Sequence, residues 1–209
     1  MKKNFLLLVI LVSSFSFAQA QSTRFGFTAG ATLATQKIKV ESVSIKSDGK
    51  IGFTAGVFAD IALSEKFAFQ PGLNFTQKGG KFDGGEFAED DVTMTLNYLE
   101  LPLNVLYKAP AGNGKFFFGL GPSIAFGLSG KAKSGGESED INFGSDENED
   151  AYKPLDFGGN IVAGYELSSG LLFSVNFNTT LNNINTTSDA TVRNTYFGLR
   201  IGYLLGGNK

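Results

Sequence analysis

The sequence has 209 residues, a formal net charge of −2, no histidine and no cysteine. This slightly acidic balance does not favour nucleic-acid binding, for which a basic surface is typical. The lack of histidine excludes Ser-His and Cys-His catalysis and histidine metal sites, and the lack of cysteine excludes disulfides and thiol chemistry. We therefore expect neither a catalytic site nor a cofactor.

The first 20 residues have the features of a cleaved signal peptide. Lys2 and Lys3 precede an apolar run over residues 5–17, and Ala18-Gln19-Ala20 has the small-x-small form of a cleavage site. The apolar run is shorter than the roughly 20 residues of a membrane-spanning helix. We predict a signal peptide over residues 1–20 and a single domain over residues 21–209.

Eight later segments alternate between apolar and small or polar residues. In residues 96–108, Leu99, Leu101 and Leu103 share one face of an extended chain, whereas Glu100 and Asn104 lie on the other. Each segment is long enough to cross a membrane as a tilted strand of roughly 9–11 residues. The eight segments are residues 24–35, 50–63, 67–78, 96–108, 116–130, 155–167, 171–181 and 195–205.

The connections between these segments alternate in length. Residues 64–66, 109–115 and 168–170 are short, and residues 36–49, 79–92, 131–154 and 182–194 form long polar loops. Outer-membrane barrels have short periplasmic turns and long extracellular loops. The pattern therefore predicts an all-β, eight-stranded, antiparallel up-and-down transmembrane β-barrel, with both termini in the periplasm and the long loops outside the cell. We expect it to be a monomer.

A soluble β-sandwich or lipocalin-like barrel is the alternative fold. Such a barrel would need large side chains to fill its interior and many charges on its outer face. Here the apolar faces carry bulky Phe, Leu and Ile, while the opposite faces are rich in Gly, Ala, Ser, Thr and Asn. Small neutral residues suit the narrow lumen of an eight-stranded membrane barrel, which side chains fill.

The strands also carry motifs that resemble a known family. YLELPL (98–103), FQPGL (69–73), GLGPSIAFGLSG (119–130) and YFGLRIGYLL (196–205) resemble the small outer-membrane β-barrel domain common in Bacteroidetes, the PorT-like family. The resemblance covers nearly all of residues 21–209, and YLELP is its most specific motif. It implies an eight-stranded barrel in the outer membrane. PorT is linked to protein secretion, so the resemblance also implies an accessory role in secretion as one candidate function.

Three prolines lie inside predicted strands. Pro71, Pro102 and Pro122 each remove a hydrogen-bond donor from the sheet, and a closed barrel has no free edge to accommodate them. We expect bulges or local breaks in strand pairing at these positions, near the short turns.

A small set of charged residues falls on the inward faces of the strands. Because buried charges need partners, we predict a structural ion-pair network in the lumen. An acid/base carboxylate pair or a proton path is the functional alternative. The predicted network consists of Asp60, Glu100, Glu166 and Arg200.

The long loop over residues 131–154 is strongly acidic. We expect a solvated, mobile contact surface there, with weak divalent-cation binding as an alternative. Residues 146–150 resemble a calcium loop only loosely, since they lack its glycine and its terminal Glu at the required spacing. The candidate contact residues are Glu137, Glu139, Asp140, Asp146, Glu147, Glu149 and Asp150.

These features favour a non-enzymatic barrel, embedded in outer-membrane lipid, with a structural or binding role through its acidic loops. A protein partner in a secretion or envelope complex would fit this role. A narrow channel is one alternative, although an eight-stranded lumen is too small for a porin-type pore. A membrane-embedded lipid hydrolase is another, although the usual mechanisms need the histidine that this chain lacks.

Overall fold

A computed structural model of the protein describes residues 23–84, 90–146, 151–187 and 189–206. The predicted signal peptide lies outside these residues. Within them the chain forms ten β-strands. None of the described residues forms a helix long and apolar enough to cross a membrane.

Eight of the ten strands correspond to the eight predicted segments, and two short strands, β2 and β7, lie in predicted loops. β1, β4, β5, β6 and β10 run past their predicted bounds into segments expected to be loops. The strands are β1 (Thr23–Val40), β2 (Val43–Lys46), β3 (Lys50–Ala62), β4 (Phe67–Phe82), β5 (Val92–Ala111), β6 (Gly114–Ser134), β7 (Glu137–Ile141), β8 (Leu155–Leu167), β9 (Leu171–Thr180) and β10 (Ala190–Leu204).

The eight long strands close into a ring. Their order is β1-β3-β4-β5-β6-β8-β9-β10, and every neighbouring pair is antiparallel. β10 returns to β1 and pairs with it from Gly26↔Leu204 to Val40↔Ala190, so the ring has no free edge. The predicted eight-stranded antiparallel up-and-down barrel is confirmed.

Side chains alternate between the outside and the lumen along each strand. In β5, Leu99, Leu101 and Val105 are exposed on the outer surface, whereas Glu100 and Asn104 are buried in the lumen. Glycine on inward faces leaves room for aromatic rings: a Cβ at Gly164 would collide with the Phe117 ring. An apolar outer surface and a polar, filled interior are the arrangement that a lipid environment requires.

The two ends of the barrel differ. The short-turn end carries the connections β3–β4, β5–β6 and β8–β9 together with Thr23 and Leu204. The predicted connection 109–115 is shorter than expected, because β5 continues to Ala111 and β6 begins at Gly114. Gly112 takes a φ of +55° in this tight turn, a conformation that glycine adopts without strain.

The long-loop end carries two extensions of the sheet. β2 pairs with β1 beyond the end of β3, and β7 pairs with β6 beyond the end of β8. Three strands separate β1 from β6 in either direction around the ring. The two extensions therefore rise on opposite sides of the barrel mouth.

The prolines interrupt pairing without shifting its register. Pairing of β4 with β5 is interrupted between Pro71↔Leu103 and Asn74↔Glu100. Pairing of β5 with β6 is interrupted between Pro102↔Ser123 and Val105↔Leu120. The register shift of the β5–β6 pair lies instead at Asn97/Tyr98, near the long-loop end. The expected breaks therefore occur near Pro71, Pro102 and Pro122, but the bulge lies elsewhere.

Candidate functional site

A layer of four charged side chains crosses the lumen at the short-turn end. Lys108 on β5 forms ion pairs with Asp60 on β3 and with Glu166 on β8, the latter at 3.1 Å. Arg24 at the start of β1 donates to Glu166 at 2.8 Å and lies 3.8 Å from Asp60. Two cations thus neutralise two carboxylates, and each carboxylate contacts both. We call this group the lower charged layer.

A second charged layer lies nearer the long-loop end. Lys78 on β4 is 1% exposed and lies 3.2 Å from Glu100 and 3.1 Å from Asp156. Its ammonium also sits 4.8 Å from the centre of the Tyr98 ring and 5.7 Å from that of Tyr196. One cation therefore serves two buried carboxylates, with two aromatic faces around it. We call this group the upper charged layer.

Two hydroxyl groups donate hydrogen bonds to the carboxylates of the upper charged layer. The Tyr196 hydroxyl donates to Glu100 at 2.6 Å, and the Thr180 hydroxyl donates to Asp156 at 3.0 Å. A buried carboxylate is expensive unless its oxygens are paired and hydrogen-bonded. These two donors satisfy some of the carboxylate oxygens, because the single ammonium of Lys78 cannot satisfy all of them.

The four residues predicted to form one lumen network do not do so. Asp60 and Glu166 belong to the lower charged layer, and Glu100 belongs to the upper one. Glu100 and Lys108 both face inward on β5 but are eight residues apart, which is about 26 Å along a strand. Glu100 is therefore too far from Lys108 for a direct contact, and the ion pairs fall into two separate layers.

The prediction for Arg200 is wrong in a second respect. Within the described part of the chain Arg200 forms no ion pair, and its Nη2 donates to the Tyr196 hydroxyl at 3.3 Å. Arg200 lies between the two charged layers and reaches Glu100 only through Tyr196. Lys78, Lys108 and Arg24 supply the cations that Arg200 was expected to supply.

The sequence contains a signal for the missed residues. Lys78 is in phase with Asn74 and Thr76, and Lys108 is in phase with Asn104. Extending the alternation to the last residue of each predicted strand places both lysines inside the lumen. Asp156 likewise falls on the inward face at the start of β8.

A polar cavity of about 40 Å³ separates the two charged layers. Its lining includes Asn74, Asn104, Asn160, Asn176 and Arg200. Asn160 donates to Asn104 at 2.9 Å, which ties β8 to β5 across the lumen. This volume accommodates only a few water molecules, so it does not amount to a conduit.

The long-loop end of the lumen is closed by an apolar cluster that we call the cap. Leu96 and Tyr98 on β5 pack there with Ile141 from β7 and with the loop residues Tyr152 and Ile184. The Phe143 ring packs edge-on against Tyr98, with 5.5 Å between the ring centres. Loop residues are therefore part of the interior of the barrel.

Tyr152 is the polar member of the cap. Its hydroxyl donates to Gln36 at 3.4 Å, and its backbone bonds Asn142 and Gly144. Burial raises the pKa of Tyr152 to about 12. The neutral phenol is thus the form that fits the cap.

The acidic loop is more ordered than expected. β6 continues to Ser134 and turns through Gly135-Gly136 into β7, forming a hairpin that we call the acidic arm (Gly130–Ile141). Its carboxylates Glu137, Glu139 and Asp140 are exposed, and Asp140 lies 3.6 Å from Lys131. The expectation of a mobile loop is wrong for this segment, because β7 is paired and Ile141 is buried in the cap.

The other predicted contact residues are only partly described. Asp146 lies in the described loop and has an interaction of its own. Glu147, Glu149 and Asp150 lie outside the described residues. In the described ranges no group of three or more Asp or Glu side chains is placed to hold a metal ion.

Comparisons with solved structures find similar folds. Ail, the attachment invasion locus protein of Yersinia pestis, is 13% identical with a TM-score of 0.45, covering 88% of this chain and 100% of Ail. OprG from Pseudomonas aeruginosa is 13% identical with a TM-score of 0.49, covering 90% and 98%. The outer membrane enzyme PagL is 13% identical with a TM-score of 0.48, covering 85% and 98%. Identities this low carry no information on activity.

Comparison with curated protein sequences finds no match. The chain does match a protein family, the outer membrane protein beta-barrel domain, over residues 17–186. This span includes all strands from β1 to β9, and β10 completes the ring with the lipid-compatible outer surface described above. The protein therefore belongs to the outer membrane protein β-barrel domain family and is a protein of the cell outer membrane.

Proposed function

We propose that the protein is a non-enzymatic, non-conducting barrel that binds a partner at its long-loop end, outside the cell. The observation that carries the proposal is the filled lumen. Within the described residues, the lower charged layer, the upper charged layer and the cap block the lumen at three successive levels. Since the described residues leave no open passage, the exposed long-loop end is the surface that we propose for a partner.

The acidic arm is the contact surface that we propose. Glu137, Glu139 and Asp140 are exposed on a strand that is anchored to the barrel through β6. Paired backbone holds these carboxylates in a fixed spacing, which lowers the entropy cost of binding a cationic surface. The partner is thus a protein with a basic patch, and a divalent cation is the alternative ligand.

A direct test neutralises the arm and leaves the barrel intact. The variant carries Glu137→Gln, Glu139→Gln and Asp140→Asn, and a matched control carries Glu41→Gln, Asp48→Asn and Glu65→Gln, three exposed acids elsewhere. Co-purification from native membranes should lose a partner in the arm variant only. Equal loss in both variants, or in neither, would contradict the proposal, and calcium titration of the same pair separates cation binding from protein binding.

Two further measurements address the alternative functions. Planar-bilayer recordings of the wild-type protein should show no conductance steps, since the lumen is blocked at three levels. Steps of regular size would favour the narrow channel. If the co-purifying partner belongs to a secretion machine and the arm variant impairs secretion, the PorT-like accessory role becomes the better description.

A further inference from the structure

The long-loop end carries a row of cations on the side opposite the acidic arm. Lys37 on β1 pairs directly with Lys46 on β2 and with Arg193 on β10. Directly paired residues of an antiparallel sheet lie on the same face, with Cβ atoms about 4.5–5.5 Å apart. Three positive side chains therefore stand side by side across three strands. We call Lys37, Lys46 and Arg193 the basic row, and Lys39 extends it along β1.

No acid in the described part of the chain forms an ion pair with the basic row. All three side chains and Lys39 are exposed, and in the described part of the chain none of the four forms an ion pair. Glu41 is the only acid between Thr23 and Lys46. Like charges placed directly opposite each other on a sheet repel and cost stability. An external anion between them would remove that cost.

The direction in which the basic row faces identifies the kind of anion. Lys37 and Arg193 continue the outer faces of β1 and β10, in register with Leu33↔Phe197 and Thr35↔Thr195 below them. Leu33 and Phe197 are 49% and 62% exposed and belong to the lipid-facing surface. The row thus faces sideways, above the apolar band, and not upward into the medium.

The height of the row matches that of lipid headgroups. Lys37 lies four positions after Leu33, which is about 13 Å along the strand and about 10 Å along the membrane normal for the usual tilt. Beyond the hydrocarbon core lies the headgroup region, where long cationic side chains meet lipid phosphates. Arg and Lys are the side chains best suited to bind phosphate oxygens.

We propose that the basic row binds the phosphate of an anionic lipid in the leaflet at the long-loop end. The lipid is held beside the barrel by three cations, while its acyl chains lie against the apolar surface around Leu33 and Phe197. This site is separate from the acidic arm and does not depend on the function proposed for it.

The test measures lipid retention by the folded protein in non-ionic detergent. Short-chain phosphatidic acid and short-chain phosphatidylcholine are titrated in parallel, and bound lipid is counted by native mass spectrometry. The row variant carries Lys37→Gln, Lys46→Gln and Arg193→Gln. The matched control carries Lys131→Gln, Lys133→Gln and Lys153→Gln, with the same charge change at the same end of the barrel.

The wild type should retain phosphatidic acid in preference to phosphatidylcholine. At about 1 kcal/mol for each cation near a membrane surface, the row variant should bind phosphatidic acid about 100-fold more weakly. The control should bind as the wild type does. Equal weakening in the two variants would mean a general effect of net charge and would overturn the proposal, as would unchanged binding by the row variant.

Two further measurements keep the test decisive. Heat-modifiable gel migration reports whether each variant is folded. If the triple variant does not fold, the single variant Lys37→Gln, at the centre of the row, replaces it. Inorganic polyphosphate serves as a soluble polyanion. If it binds through the row while phosphatidic acid does not, the site is one for soluble polyanions and the lipid proposal is wrong.

Discussion

At the scale of single residues, the lumen shows how one buried cation can be required by several groups. Lys78 is the only described cation within ion-pair distance of Glu100 and Asp156. Water cannot solvate either carboxylate, because both side chains are buried. Arg200, although also charged and inward, makes a single side-chain hydrogen bond within the described residues, to the neutral Tyr196 hydroxyl. Two buried carboxylates therefore depend on Lys78, whereas Arg200 contacts only a neutral hydroxyl.

Replacing these two cations by methionine should separate their roles. Lys78→Met leaves two buried carboxylates without their cation and should cost about 3–5 kcal/mol of unfolding free energy. Arg200→Met removes one hydrogen bond and should cost about 0.5–1.5 kcal/mol. Urea unfolding of the barrel in detergent micelles measures both. A larger loss for Arg200→Met than for Lys78→Met would contradict the ion-pair assignment.

At the scale of elements, the long loops divide into parts with different roles. The acidic arm is a paired hairpin whose charged side chains are exposed. Ile141, Phe143 and Tyr152, from the same stretch of chain, pack into the cap. Deleting residues 135–150 would therefore remove packing as well as charge. Charge-neutralising substitutions are the better probe of binding.

Tyr152 should give the cap a measurable alkaline transition. Its pKa of about 12 exceeds the value of about 10 in an unfolded chain, so its contribution to stability is complete below pH 10 and is lost as pH rises to about 12. The difference in tyrosinate absorbance between wild type and Tyr152→Phe isolates this group. In the folded protein the difference should titrate near pH 12, and in urea near pH 10. A folded-state midpoint near pH 10 would show that Tyr152 is not buried.

At the scale of the whole molecule, closure of the ring depends on the β1–β10 seam. These strands are the first and last of the described chain, and they pair along fifteen positions. Their pairing also brings Lys37 beside Arg193, so ring closure creates the basic row. The acidic arm rises from β6 on the opposite side of the mouth. The long-loop end thus carries the acidic arm and the basic row on opposite sides.

The seam can be tested by disulfide trapping, because the chain has no cysteine of its own. Ala31 and Leu199 are directly paired, so Ala31→Cys with Leu199→Cys should form a reducible cross-link and shift migration on a denaturing gel. Ala31→Cys with Ile124→Cys, on the opposite strand β6, should not. Cross-linking of the second pair, or of neither, would contradict the ring order.

Much of the architecture follows from the sequence by itself. Alternation with a period of two is a local property, so it determined the eight strands and which side chains face lipid. The alternation of short and long connections determined the antiparallel order. The inward position of Asp60, Glu100 and Glu166 followed from the same phase. The signal peptide, the PorT-like assignment and the orientation in the membrane stay predictions.

Partner choice inside the lumen and at its mouth was decided only by the tertiary structure. Arg24 meets Glu166 across 142 positions of sequence, and Lys78 meets Asp156 across 78. Such contacts depend on the register and tilt of all eight strands together, which no local pattern encodes. The same holds for the return of Ile141 and Tyr152 into the cap, because the loop sequence shows their hydrophobicity but not the cavity that they fill. The sequence therefore determined which residues face inward, and ring closure decided which of them meet.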